Sequence, residues 1–282
     1  SEQRKRKGSQ AGYRALLWSG APARSSQRRA PFHYPNAGRA CARAYVSSMS
    51  SIDPNLTVSE LTRSVPGAFR VFERHGIDFC CGGKRPLAEA CADAHVPVST
   101  LLDALSRASL YPAPLEPPKG VRALIAHIID CHHVYEAAEL ARLTPLADKV
   151  IRVHGDRHPE LREVGRLLEA LTADLMSHMR KEEVILFPAM RALDGGGPAR
   201  TRFATLDQPL HVMLSEHDQV GQLLRDLERT TERYTPPAQA CGSYRALYQG
   251  LAELQADLHR HIYLENELLF PRARALEALS GR

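Results

Sequence analysis

One motif occurs twice in this chain, and the two copies are 83 residues apart. Residues 178–188 read His-Met-Arg-Lys-Glu-Glu-Val-Ile-Leu-Phe-Pro, and residues 261–271 read His-Ile-Tyr-Leu-Glu-Asn-Glu-Leu-Leu-Phe-Pro. Two more histidines keep almost the same spacing, because His133 precedes the first copy by 45 residues and His217 precedes the second by 44. The duplication predicts two helix pairs related by a pseudo-twofold axis, which is the arrangement of a dinuclear site.

These polar side chains continue the apolar stripes of four predicted helices. On the second and fourth helices the stripes are Val164, Leu168, Leu171, Leu175, His178, Glu182, Ile185 and Leu247, Leu251, Leu254, Leu258, His261, Glu265, Leu268. On the third helix His217 aligns with Leu210, Met213, Val220 and Leu224, and on the first His133 follows Ala126 and Ile129. The pattern therefore predicts that histidine and carboxylate side chains occupy core positions.

Burying two carboxylates with four imidazoles is costly unless positive charge lies among them, and a pair of metal ions supplies it. The spacing of four residues puts His178 with Glu182, and His261 with Glu265, on one helix face. Mixed imidazole and carboxylate ligation suits iron, with manganese and zinc as alternatives. The candidate ligands are His133, His178, Glu182, His217, His261 and Glu265. The pattern alone leaves His132 as an alternative to His133, and His154 as the next candidate among the other histidines.

Chain breakers divide residues 56–275 into three parts. Residues 56–110 predict a small helical domain, with helical spacing up to Phe72, a turn at Cys80-Cys81-Gly82-Gly83 and a further helix from Leu87 to Leu105. Residues 111–120 predict a stiff proline-rich linker. Residues 121–275 predict four long helices and contain no sustained strand alternation. The predicted fold class is all-α, an antiparallel four-helix bundle preceded by a small helical domain.

The net charge of +5 comes from the N-terminus, because residues 1–48 carry eight Arg and two Lys against Glu2 alone. This basic segment predicts disorder. It is interpreted as sequence upstream of a start at Met49, with a transit peptide or a solvated extension as alternatives. The remaining chain is acidic, so no nucleic-acid partner is predicted. Six cysteines without a disulfide framework, and no apolar run of about 20 residues, predict a cytoplasmic protein without a membrane anchor.

The chain resembles the family of iron-sulfur cluster repair di-iron proteins over about residues 56–275. Residues 75–84, His-Gly-Ile-Asp-Phe-Cys-Cys-Gly-Gly-Lys, are similar to the family's ScdA-type N-terminal signature. Residues 177–188, 215–218 and 261–272 are similar to its haemerythrin-like motifs. Both signatures in one chain make the resemblance specific.

The resemblance implies a haemerythrin-like bundle that holds two iron ions with an oxo or hydroxo bridge. It implies His133, rather than His132, as the ligand on the first helix, and both Glu182 and Glu265 as bridges between the ions. It also implies repair of iron-sulfur clusters damaged by oxidative or nitrosative stress, through iron donation, reduction of nitric oxide, or both. Whether the protein is an enzyme depends on whether it reduces nitric oxide.

The partners that the resemblance implies are damaged iron-sulfur proteins or a cluster scaffold, and nitric oxide. The sequence leaves open whether two copies of the chain form a homodimer. Cys80 and Cys81 are expected to act through their thiols, with a purely structural turn as the alternative. Two other functions compete with repair. One is an oxygen or nitric oxide sensor without turnover, and the other is a bundle that binds zinc or manganese for stability alone.

Overall fold

The computed structural model describes residues 52–53, 55–108, 117–195 and 205–280. The basic segment 1–48 and most of the predicted linker 111–120 lie outside the described residues. Within them the chain is helical, and the one β-type contact is an isolated bridge between Thr57 and Pro86. The predicted all-α fold is confirmed. No described helix is long and apolar enough to cross a membrane.

The N-terminal part contains four short helices. They are α1 (Val58–Ser64), α2 (Ala68–Arg74), α3 (Leu87–Asp93) and α4 (Val98–Ala108). The single helix predicted from Leu87 to Leu105 is wrong, because the chain turns between α3 and α4, where His95 has φ +55° and Pro97 follows. Pro66-Gly67 likewise separates α1 from α2, and Gly67 adopts φ +76°, which glycine reaches without steric cost.

The bundle has four long helices, and three of them contain a π-helical segment. The first is α5 (Val121–Ile128), π segment Ile129–His133 and α6 (Val134–His154). The second is α7 (Glu160–Lys181), π segment Glu182–Leu186 and α8 (Phe187–Leu193). The third is α9 (Asp207–Thr230), and the fourth is α10 (Gly242–Tyr263), π segment Leu264–Leu269 and α11 (Phe270–Ser280). Helix α7 packs against α6 and α9, and α10 packs against α6.

Two separate apolar clusters fill the described core. One joins the N-terminal helices to one end of the bundle, through α6, α7, α9 and α10. The other fills the opposite end, between α5, α8, the start of α9 and α11. The predicted ligands lie between these clusters, in α-helical and π-helical turns of the four long helices. A layer of polar side chains therefore separates the two apolar clusters.

The π segments shift the buried faces of the helices by one residue. The sequence predicted that Ile185 and Leu268 continue the apolar stripes, but Ile185 is 45% exposed, Leu268 is partly buried, and Leu186 and Leu269 take the core positions. A π turn adds one residue between hydrogen-bonded groups, and such turns are frequent at functional sites. On the first helix the predicted stripe is also wrong: Ala126 is exposed and Ile129 is partly buried.

Candidate metal centre

The six predicted ligands meet in the polar layer between the two apolar clusters. All of them are buried, and they are His133, His178, Glu182, His217, His261 and Glu265. They form two groups that share Glu182 and Glu265. We call the group with His133 and His261 the 133/261 half, and the group with His178 and His217 the 178/217 half. Within each half, one potential ligand atom from every residue lies within 4.8 Å of the others.

In the 133/261 half, the Nε2 atoms of His133 and His261 are 3.3 Å apart. The Nε2 atom of His133 lies 3.5 Å from Oε2 of Glu182, and that of His261 lies 3.4 Å from Oε1 of Glu265. Each histidine thus faces the other histidine and one of the shared carboxylates.

The 178/217 half repeats this arrangement. The Nε2 atoms of His178 and His217 are 3.1 Å apart. The Nε2 atom of His178 lies 3.3 Å from Oε2 of Glu182, and that of His217 lies 3.1 Å from Oε2 of Glu265. Since each carboxylate contacts a histidine of both halves, the two glutamates are the side chains that connect them.

The donor atoms of this cluster fit metal ions. Both oxygens of Glu182 and of Glu265 are buried without a hydrogen-bond partner, which is costly for a carboxylate. When each ring is neutral and its Nδ1 atom donates to the neighbouring acceptor oxygen, the facing Nε2 atom has a free lone pair. Two nitrogens bound at about 2.1 Å to one ion lie roughly 3 Å apart, close to the separations within each histidine pair.

The charge balance of the cluster also favours a cation. Burial raises the pKa of the Glu265 carboxyl, but His261 and His217 outweigh it and hold that pKa well below its ordinary value. Burial lowers the pKa of His178, but the carboxylates of Glu182, Glu265 and Glu216 outweigh this effect and raise that pKa to about 9. The buried carboxylates thus favour positive charge on the histidine cluster, and a metal ion would supply that charge in place of a proton.

Each ligand histidine is oriented by an acceptor at its Nδ1 atom. The pairs are His133 with Glu183 at 2.8 Å, His178 with Glu216 at 2.9 Å, His217 with Asn266 at 2.8 Å, and His261 with Glu136 at 2.9 Å. Such outer contacts fix the tautomer and the orientation of a ligating imidazole. The sequence analysis missed all four partners. The signal was present for two of them, since Glu183 and Asn266 directly follow the shared glutamates in the two copies of the motif.

The structure separates the two alternative histidines from the cluster. His132 is buried beside the centre, where its Nδ1 atom lies 2.9 Å from Oδ2 of Asp257 and its ring stacks on His261. It joins Glu136 and Asp257 in a separate, smaller group of potential ligands. His154 lies elsewhere, with its Nε2 atom 3.2 Å from the sulfur of Cys241.

The Cys80–Cys81 segment lies against the 178/217 half. The carboxylate of Asp78 accepts hydrogen bonds from the backbone N–H groups of both cysteines, at 3.1 and 2.9 Å. The carbonyl of Cys80 accepts from Nδ2 of Asn266 at 3.0 Å, and the thiol of Cys81 donates to the carbonyl of His217 at 3.7 Å. The segment therefore contacts the centre through backbone atoms as well as through a thiol.

The two thiols differ in accessibility. Cys80 is buried, and Cys81 is partly exposed. The neighbouring Cys81 thiol, burial and the Asp78 carboxylate all raise the pKa of Cys80 well above its ordinary value. A reactive thiolate at Cys80 is therefore disfavoured, and Cys81 is the better candidate for the thiol role that the sequence suggested.

Comparisons with known proteins agree with this geometry. The family model described as haemerythrin HHE cation-binding domain matches residues 124–273, which places the chain in the class of haemerythrin-like cation-binding bundles. A model named ScdA_N, described as a domain of unknown function, matches residues 54–109. The iron-sulfur cluster repair protein YtfE of Yersinia pseudotuberculosis is 38% identical over 221 residues, 78% of this chain and 96% of the relative. The YtfE protein of Yersinia pestis strain Pestoides F matches over the same length with the same identity. The chain belongs to the iron-sulfur cluster repair protein family.

Proposed function

We propose that this protein holds two iron ions between its four buried histidines and the shared carboxylates of Glu182 and Glu265, and that it restores damaged iron-sulfur clusters. The observation that carries the proposal is the pair of half-sites joined by two carboxylates whose oxygens have no other partner. The function named for the similar YtfE proteins supports the second part. We include in the proposal a helical module over residues 56–110 and a di-iron bundle over residues 121–275, with matching family models as support.

The residues of the centre have separate roles in this proposal. The Nε2 atoms of the histidines and the glutamate oxygens would bind the ions, with an oxo or hydroxo group completing the bridge. Bound iron would supply exchangeable metal and an open position for a small diatomic molecule such as nitric oxide. Glu136, Glu183, Glu216 and Asn266 hold the imidazole rings with Nε2 facing inward. Apolar clusters lie on both sides of the polar layer, and all six ligand side chains are buried.

The test combines metal analysis with a repair assay on the full chain. We expect about two iron atoms per chain after anaerobic loading, with a spin-coupled Mössbauer signal. The loaded protein should restore activity to a hydratase whose [4Fe-4S] cluster has been damaged by nitric oxide or peroxide. Glu182→Ala should abolish both results, whereas His154→Ala, a histidine outside the cluster, should preserve both.

The other outcomes identify the competing functions. Bound iron without cluster recovery and without turnover of nitric oxide would indicate a sensor. Repeated formation of nitrous oxide from nitric oxide would identify an enzyme. Zinc or manganese as the retained metal, with no visible absorption, would indicate a structural metal and would contradict the proposal.

A further inference from the structure

The two halves of the centre differ in the groups behind their histidines. In the 133/261 half, both rings donate to carboxylates, those of Glu183 and Glu136. In the 178/217 half, one ring donates to the carboxylate of Glu216 and the other to the amide of Asn266. The pseudo-twofold axis that relates the ligands therefore does not relate the groups that orient them.

The charges behind the two halves are unequal. Glu136 is completely buried, and its two carboxylate oxygens lie 2.9 and 3.1 Å from Nδ1 of His261. Glu216 is bound by the ammonium group of Lys181, which neutralises much of its charge. Asn266 carries no charge. The outer groups thus bring two carboxylates to the 133/261 half, and to the 178/217 half one carboxylate that is paired with an ammonium group.

This difference changes how strongly the imidazoles donate to a metal ion. A carboxylate behind a ligating histidine draws on the Nδ1 proton and makes Nε2 a stronger ligand, and loss of such a partner typically costs about 10–100-fold in metal affinity. Glu183 is half exposed, so solvent weakens its share. Glu136 is buried and therefore supplies most of the difference.

The contacts of Asn266 explain why an amide stands at this position. Its Oδ1 atom accepts from Nδ1 of His217, and its Nδ2 atom donates to the carbonyl of Cys80 at 3.0 Å. A carboxylate could accept from the histidine but could not donate to a carbonyl. The bond to the Cys80–Cys81 segment therefore requires the uncharged side chain that weakens the adjacent histidine as a ligand.

We propose that Asn266 is a positioning residue that couples the Cys80–Cys81 segment to His217, and that the 178/217 half holds its metal ion less tightly than the 133/261 half. The inference rests on the proposed function only in requiring two bound ions. The 178/217 half would then release its metal ion first, and this half is the one that contacts the Cys80–Cys81 segment.

The test measures metal release rather than activity. The full chain is loaded anaerobically with two ferrous ions, and transfer of iron to a ferrous chelator is followed by absorbance. We expect two phases of about equal amplitude. The fast phase should belong to the 178/217 half, and the slow phase to the 133/261 half.

Three variants assign the phases. Asn266→Asp places a carboxylate behind His217 and should slow the fast phase by about tenfold, whereas Asn266→Ala removes the partner and should accelerate it. Glu136→Gln, the matched change in the other half, should accelerate the slow phase by about tenfold and leave the fast phase unchanged. Mössbauer spectra should show two iron environments, with one altered by each variant.

Opposite effects of the two Asn266 variants are the decisive result, because both lose the hydrogen bond to Cys80. If Asn266 only anchored the cysteine segment, Asn266→Asp and Asn266→Ala would change release in the same direction, and this would overturn the inference. A single release phase with one iron environment in the unmodified protein would overturn it as well. The proposed repair function fails separately, through absence of cluster recovery by a chain that still releases iron in two assigned phases.

Discussion

The two copies of the repeated motif have the same ligands but different surroundings. In each copy a His and a Glu, four residues apart, point into the centre. In the three positions after the Glu, the first copy has Glu183, Val184 and Ile185, which are exposed, with Val184 65% exposed. The second copy has Asn266, Glu267 and Leu268, which are all partly buried. One copy is open to solvent, and the N-terminal helices lie against the other.

The contacts of the second copy show how the covering is achieved. The carboxylate of Glu267 accepts hydrogen bonds from Ser59 and, at 2.9 Å, from Arg63. The ring of Phe79 packs edge-on against His259 and lies 5.9 Å from the ring of Tyr263. Duplication thus accounts for the matching ligands, and the covering by a non-repeated segment accounts for the differences between the copies.

The first prediction tests the equivalence of the two copies at the ligand positions. Glu182→Ala and Glu265→Ala should each remove a carboxylate shared by both halves. We expect each to lower metal affinity by more than the roughly 100-fold upper range for outer-sphere changes, so that less than one ion per chain remains after desalting. Elemental analysis measures this result. Full retention of metal in one variant and loss in the other would show that only one carboxylate connects the halves.

The second prediction concerns the covering of the second copy. Phe79→Ala removes a buried ring that contacts Phe72 as well as Tyr263. We expect a loss of about 3–5 kcal/mol in the free energy of unfolding, measured with chemical denaturant on the metal-free chain. Val134→Ala, an exposed apolar position, should stay within about 0.5 kcal/mol. A loss as small as that of the control would mean that the N-terminal helices contribute little to stability through this ring.

The third prediction compares equivalent positions of the two copies directly. Glu267→Ala removes the carboxylate that accepts hydrogen bonds from Ser59 and Arg63. The matched variant, Val184→Ala, changes the equivalent position in the exposed copy. We expect about 1–2 kcal/mol of destabilisation for Glu267→Ala, because a largely buried carboxylate loses charged hydrogen bonds. Val184→Ala should cost less than about 0.5 kcal/mol. Equal losses from the two variants would contradict an asymmetric covering.

Much of the centre could be predicted because local spacing determines it. A His and a Glu four residues apart share a helix face wherever the helix lies, and a duplicated spacing predicts that two such faces meet. The apolar stripes that the ligands join on the second, third and fourth helices were also predicted, and Leu168, Val220 and Leu254 are buried as expected.

Features that depend on non-local packing could not be predicted in the same way. The π segments displaced Ile185 and Leu268 from the core. The sequence contains one local signal for them, because Pro188 and Pro271 follow these segments and lack the N–H group that a regular helix uses. The choice between His132 and His133 depended on a further π segment, Ile129–His133. The bond from Asn266 to Cys80 joins residues 186 positions apart and has no local signature.

The last and smallest prediction concerns the charge behind the 178/217 half without altering the covered surface. Lys181→Met keeps the packing of the side chain but removes the ammonium group that binds Glu216. An exposed ion pair contributes about 0.2–1 kcal/mol, so the freed carboxylate should slow the fast phase of metal release by up to about fivefold. The slow phase should be unchanged, as measured by the same chelator assay. Faster release in this variant would mean that Lys181 supports the histidine by orienting Glu216, and the unequal charges would then not explain the difference between the halves.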